Sequence, residues 1–218
     1  RQLEDTDIKL MKDGLPDTPS INHYLTHTLK KGAKVGIDGA LFNLGTVCAM
    51  RGILEKRGMT LATDFDATDT IWKDRPGLPD AKVFVHDVKY AGETAASKIA
   101  KILAEAAEQG ANATLVSALD EIAWALNIRS RDVNCNPVAT AFLYLSAKGS
   151  ILFIKPEKID TATAEYLKAA GVSVLPYPEV YSHMASLADD TLVLVDATRT
   201  SVKAIDALGS RAEIGRAH

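Results

Sequence analysis

The sequence predicts an α/β fold in which mixed sheets are covered by flanking helices and the chain divides into two units. Three observations carry that expectation. Segments of helical period alternate with short apolar runs of strand character over most of the 218 residues, the pattern of a helix-covered sheet. A breaker cluster, Arg75-Pro76-Gly77-Leu78-Pro79, interrupts the alternation and marks a boundary between units. One hairpin signal, Ala147-Lys148-Gly149 between apolar residues 141–146 and 150–154, adds an antiparallel pair, so a mixed sheet is expected rather than a purely parallel one.

In chain order, residues 32–38 (GAKVGID) read as a short strand after a basic helix end at Lys30 and Lys31. Residues 42–56 carry an amphipathic helical pattern that Gly58 terminates. Residues 59–62 read as a strand, and residues 66–73 as a short helix stopped by the breaker cluster. The second unit begins near Tyr90. Residues 94–109 form an alanine-rich helix with apolar positions at Ile99, Ile102, Leu103 and Ala106, and Gly110 is its C-terminal cap. Residues 113–117 (ATLVS) make a buried strand, and residues 120–126 a short helix with an acidic first turn, which suits the helix dipole. After the hairpin come a helix at 161–170 ended by Gly171, a strand at 172–175, a helix at 180–187 and a strand at 191–195. The break between units is expected between Trp72 and Tyr90, with Val35 and Leu115 in different sheets.

Composition narrows the function classes. The chain is 47% hydrophobic and 24% charged, enough apolar side chain for an ordinary core. Its net charge of -3 comes with dispersed lysines and arginines, so no concentrated basic surface argues for nucleic acid. No apolar run reaches the ~18–20 residues of a membrane span, and the polar start reads as no signal peptide; a cytoplasmic setting without membrane contact is the expectation. The missing initiator methionine suggests a chain that begins inside a longer protein. The two cysteines, Cys48 and Cys135, form no CxxC pair, which excludes a zinc ribbon or thioredoxin motif. Cys48 reads as a small core residue in an apolar helical run. Cys135 sits in a polar loop, where a reactive thiol is the alternative to an inert one.

Candidate chemistry concentrates in one segment. Residues 117–138 (SALDEIAWALNIRSRDVNCNPV) place Asp120, Glu121, Arg129, Arg131, Asp132, Asn134 and Asn136 beside Trp124 and a helical apolar stripe. Asp120 and Glu121 are general acid–base candidates; the structural alternative is a helix cap and a solvent-facing carboxylate. Arg129 and Arg131 suit bidentate capture of a carboxylate or an internal pair with Asp132, and the sequence leaves both open. Trp124 reads as core rather than as a stacking platform. Elsewhere, His23 and His27 have i, i+4 spacing, but HYLTH lacks the glutamate of a zinc-peptidase helix and reads as a solvated helix face. No GxSxG, GxGxxG or GxxxxGK[ST] motif occurs.

The 117–138 segment resembles the LDEIAW–N–R–D–NPV segment of the Xaa-Pro aminopeptidase (aminopeptidase P) family, in the second of its three domains. LMKDGLPDTPS at 10–20, VGID at 35–38, IWKDRP at 71–76 and YAGE at 90–93 follow in the family order, and Glu213-Ile214 with Ala217-His218 looks like the helix leading into the family's catalytic domain. The resemblance implies two creatinase-N-like mixed-sheet units, the first incomplete: residues 1–88 as the latter part of domain one, 89–208 as domain two, and 209–218 as the start of a linker. It also implies metal-dependent release of an N-terminal residue preceding proline. The family's two divalent metals (manganese or zinc type) belong to a third domain whose ligands match nothing in this chain, so no cofactor and no catalytic residue are expected here. Asp120, Glu121, Trp124, Arg129, Asp132 and Asn136 would line a substrate-cleft wall, converging near Trp124. Partners would be peptides with proline second, and a homodimer.

Three departures from the family pattern stand out. Ser130 replaces a glycine after Arg129, Ala139 and Thr140 replace two aromatics expected to face the cleft, and the connector at 207–214 is short. The expected role is a non-catalytic N-terminal region shaping substrate access and assembly; the alternative is a stand-alone pseudoenzyme acting as a binding or scaffold protein.

Overall fold

A computed structural model of the chain describes residues 3–12 and 14–215; the expectations resting on Asp13, Ala217 and His218 lie outside them. The second unit is a three-layer arrangement. Its six-stranded sheet joins β4 (Ala113–Val116), β6 (Phe142–Ser146), β7 (Ser150–Phe153), β8 (Val172–Leu175), β9 (Val193–Val195) and β10 (Ala212–Ile214) in the order β10-β9-β4-β6-β7-β8. β6 pairs antiparallel with both β4 and β7, whereas β7–β8, β4–β9 and β9–β10 are parallel, so the expected mixed sheet is present.

Period-two alternation decides which helices cover which face. Leu143 and Leu145 of β6, with Leu152 of β7, pack against α5 (Ala95–Glu108), α6 (Leu119–Ala125) and α7 (Thr161–Ala169) through Ile99, Ile102, Ile122 and Leu167. Phe142 and Tyr144, one residue out of phase, pack with Phe153, Val193 and Val195 against α8 (Glu179–Ser186) and α9 (Val202–Leu208) through Val180, Met184 and Leu208.

The first unit is smaller. β1 (Lys34–Gly36) and β2 (Thr60–Ala62) pair in parallel as a separate two-stranded sheet, connected by α2 (Leu44–Glu55), and α1 (Ile21–Thr28) packs alongside. Met50, Leu54 and Met59 are its buried centre. Gly58 closes α2 at φ 68°, a left-handed position that costs glycine little. After β2, α3 (Ala67–Ile71) is capped by Asp66, and α4 (Val88–Ala91) is a single turn. The two units meet along a main-chain seam. Leu44 N donates to Thr200 O, Gly45 N to Ala197 O, Val202 N to Phe42 O and Lys203 N to Gly39 O.

β3 (Phe84–Val85) pairs antiparallel with β5 (Ile128–Arg129), and Val83 joins the second unit's core. Two expectations are corrected. Glu213 and Ile214 belong to edge strand β10, parallel to β9, rather than to a helix. Cys48 is exposed, because the buried stripe of α2 is Val47, Met50 and Leu54 and Cys48 lies off it. Among the described residues no helix is long and apolar enough to cross a membrane.

Candidate functional site

The 117–138 segment runs from the end of β4 through α6 and β5 into a loop. α6 starts without a side-chain cap, with Asp120 and Glu121 in its first turn. Both carboxylates are exposed and favour the positive helix end. Glu121 borders a narrow polar cleft of about 30 Å³ with Ser117, Asp196, Arg199 and Thr200 at the β4–β9 edge. That is room for about one water.

Trp124 is 47% exposed, not core. Its neighbours Ile122, Ala123 and Ala125 take the buried positions of α6 and leave the indole outside the stripe. What holds it is Lys98 of α5, only 3% exposed, whose ammonium sits 4.6 Å from the indole centroid. The same ammonium donates to Trp124 O at 3.0 Å and to Asn127 Oδ1 at 2.7 Å. A cation is thereby placed on the carbonyl end of α6. Burial pushes the Lys98 ammonium below its usual pKa, with the negative charge of Glu93 opposing. Asn127, at φ 50°, turns the chain out of the helix and donates from Nδ2 to Glu93 O at 2.7 Å.

Arg129 is half-buried on β5. Its Nη1 donates to Ala123 O at 2.7 Å and Ile128 O at 2.8 Å, so the guanidinium also closes the end of α6 and does not pair with Asp132. The Asp132 carboxylate turns inward instead. It forms an ion pair with Lys158 in which both side chains are at most 1% exposed, and it accepts from Thr140 N at 2.6 Å. Burial opposes its ionisation, but the hydrogen bonds from Lys158 and Thr140 and the Lys158 charge outweigh that and hold the carboxyl below its ordinary range. The Asp132 carboxylate is thus not on a cleft surface. Asn136 is exposed at the loop tip, bridged to Val133.

The departures noted in the sequence also acquire physical roles. Ser130 is fully buried; its hydroxyl lies 3.0 Å from Ala81 O, 3.2 Å from Lys82 O and 3.3 Å from Asp132 Oδ1. It pins β5 to the segment before β3. Ala139 is a core residue rather than a cleft-facing one. The structure therefore keeps Asp120, Glu121 and Trp124 exposed along α6, sets Arg129 at the helix end, leaves Asn136 apart on its loop, and withdraws Asp132. Lys98 and Lys158 went unnoticed in the sequence. The one local signal that could have pointed to this helix end is Asn127, a residue type that tolerates the left-handed conformation; nothing local marks Lys158. A separate groove of about 610 Å³ between α4, the start of α5 and α7, walled by Val85, Asp87, Thr94 and Tyr166, holds none of the six.

Comparison with known proteins places these features. Residues 74–218 match the Creatinase/Prolidase N-terminal domain. Aminopeptidase P2 of Arabidopsis thaliana is 33% identical over 208 residues, 94% of this chain and 29% of that protein. A probable Xaa-Pro aminopeptidase P of Laccaria bicolor is 33% identical over 213 residues, again 94% of this chain and 33% of the relative. The crystal structure of an X-prolyl aminopeptidase from Caenorhabditis elegans, described as a cytosolic enzyme with a di-nuclear active site, superposes with a TM-score of 0.84 at 27% identity, covering 94% of this chain and 35% of that one. The chain spans about a third of the length of the relatives it matches.

Proposed function

Because the chain belongs to the creatinase/prolidase N-terminal domain family, we propose that it is the non-catalytic N-terminal region of an aminopeptidase P-like protein, shaping substrate access and assembly for a metal-dependent Xaa-Pro aminopeptidase. The observation that carries this reading is that nearly the whole chain superposes on about a third of an X-prolyl aminopeptidase. On this reading residues 1–88 supply the latter part of a first creatinase-N-like domain and residues 89–208 the second. The isolated parallel pair β1–β2 supports it, since parallel strands are ordinarily covered on both faces within larger sheets. So does the exposure of Leu41, Phe65, Ile71 and Trp72.

The reaction proposed for the whole protein is cleavage of the bond before a proline in second position. The family's two divalent ions do not fit here: among the described residues no group of three or more His, Cys, Asp or Glu side chains lies together. No catalytic step is assigned to this chain. Its contribution is the wall, for which Asp120, Glu121 and Trp124 on α6 and Asn136 on the loop supply exposed polar and aromatic surface. Arg129 fixes the end of α6, and Asp132 braces the loop from inside. A cytosolic setting and a homodimer belong to the same proposal. The test is an assay of the isolated chain against Xaa-Pro tripeptides with manganese or zinc supplied. No turnover is expected; metal-dependent release of the N-terminal residue, abolished by chelator, would overturn the non-catalytic assignment.

A further inference from the structure

We propose that residues 75–79 (RPGLP) form a docking segment for a proline-recognition domain of the SH3 class, one whose groove is lined by aromatic rings. The site is independent of the function proposed above. The segment holds two Xaa-Pro dipeptides, Arg75-Pro76 and Leu78-Pro79, three residues apart, which is the PxxP spacing. Each proline ring fixes its own φ near −65° and steers the residue before it toward extended conformations. Four of the five residues are thereby biased toward polyproline II, and Gly77 is not among the glycines with positive φ. That helix repeats every three residues at ~3.1 Å each, so the two dipeptides lie on one edge, roughly 9 Å apart. No two prolines of the chain are adjacent. Separate dipeptide slots of the SH3 kind therefore fit better than a WW groove, which takes neighbouring prolines.

The fold presents this segment to solvent and leaves its backbone free. Every residue from Ile71 to Asp80 is exposed. Residues 76–80 make no hydrogen bond with the described residues, and a Cβ added at Gly77 would meet nothing within 4 Å. Polyproline II carries no internal hydrogen bonds, so nothing has to break before a groove closes on the chain. Both ends are tethered. Arg75 Nη1 donates to Asp66 Oδ2 and to Thr68 Oγ1, each at 3.1 Å. Beyond the segment, Lys82 Nζ donates to Glu157 O at 2.6 Å, and the Ser130 hydroxyl lies 3.0 Å from Ala81 O. A segment held at both ends and stiffened by two rings loses less entropy on docking than a free linker. The chain bends at Leu78; straightening falls to Gly77, the one residue of the five that neither is a proline nor precedes one.

The test is NMR titration of the isotope-labelled full chain with a panel of purified SH3 domains, with purified WW domains as control. The expected result is saturable binding by at least one SH3 domain, with shift changes centred on residues 73–80, and none by the WW domains. Pro76→Ala and Pro79→Ala should each weaken that binding by about tenfold through lost burial of a ring. Pro16→Ala, an exposed proline outside the segment, should leave it unchanged. Circular dichroism verifies that each variant stays folded, as expected for substitutions at exposed positions. No binding by any SH3 domain of the panel, binding undiminished in both Pro76→Ala and Pro79→Ala, or binding lost in Pro16→Ala would each overturn the proposal. Shift changes centred outside residues 73–80, or binding confined to the WW domains, would overturn it as well.

Discussion

At the residue scale, the buried Lys158–Asp132 pair ties the loop between β5 and β6 to the segment before α7. Removing one member strands the other charge in a dry site, a loss of about 3–5 kcal/mol. Asp132→Ala should therefore lower the urea midpoint by that measure, while a paired replacement by apolar residues should recover much of it; a single-variant cost under 1 kcal/mol would contradict the buried pair. His183 gives a pH test. It packs against Tyr144 and Phe153, its Nε2 is buried without a partner, and burial holds the imidazole below its ordinary pKa. The unfolded chain thus takes up its proton first as pH falls through about 6.5. Stability is complete above that pH and declines below it until the folded-state value is passed. Urea unfolding at pH 7.5 and 5.5 should show the decline, and His183→Phe should flatten it; equal slopes would contradict the assignment. Side-chain environments of this kind were the least legible part of the sequence. Trp124 and Asp132 sit in one polar-looking segment, yet one faces water and the other is sealed, because the partners that decide it, Lys98 and Lys158, come from elsewhere in the chain.

At the scale of elements, α6 is closed by three groups remote in sequence or beyond its end: Lys98, Asn127 and Arg129. Arg129→Ala removes a charged donor from two carbonyls, so it should cost about 1.5–3 kcal/mol, visible as a lower thermal midpoint. Arg129→Lys, which keeps the charge and loses the planar fork, should recover part of it. An unchanged midpoint in Arg129→Ala would show that the guanidinium does not close the helix. Helices and long strands were readable from periodicity and caps: the expected helix at 94–109 is α5, capped by Thr94. β3 and β5, at two residues each, have no period to read; only their pairing defines them. β10 escaped notice because Ala212–Ile214 carries little strand character and acquires it at the sheet edge beside β9.

For the whole molecule, the mixed α/β architecture followed from the alternation of elements and the single hairpin. The seam between units did not, because it is built from backbone groups of residues 39–45 and 197–203 that carry no side-chain signature. Gly39 lies within it: a Cβ there would meet Thr63 O at 2.6 Å and Val202 Cγ1 at 3.0 Å. Gly39→Ala should cost about 1–3 kcal/mol through overpacking, read as a lower urea midpoint; a neutral result would show that the contact relaxes freely. The central claim, a non-catalytic region serving a Xaa-Pro aminopeptidase, is tested most directly by exchange. The matching third of Arabidopsis aminopeptidase P2 is replaced by this chain, and kcat/KM is measured on an Xaa-Pro tripeptide beside the unmodified enzyme and the enzyme lacking that third. The account predicts a chimera that regains most of the activity lost by the deletion, with Trp124→Ala in the chimera raising KM or lowering kcat. A folded chimera no more active than the deletion would contradict it.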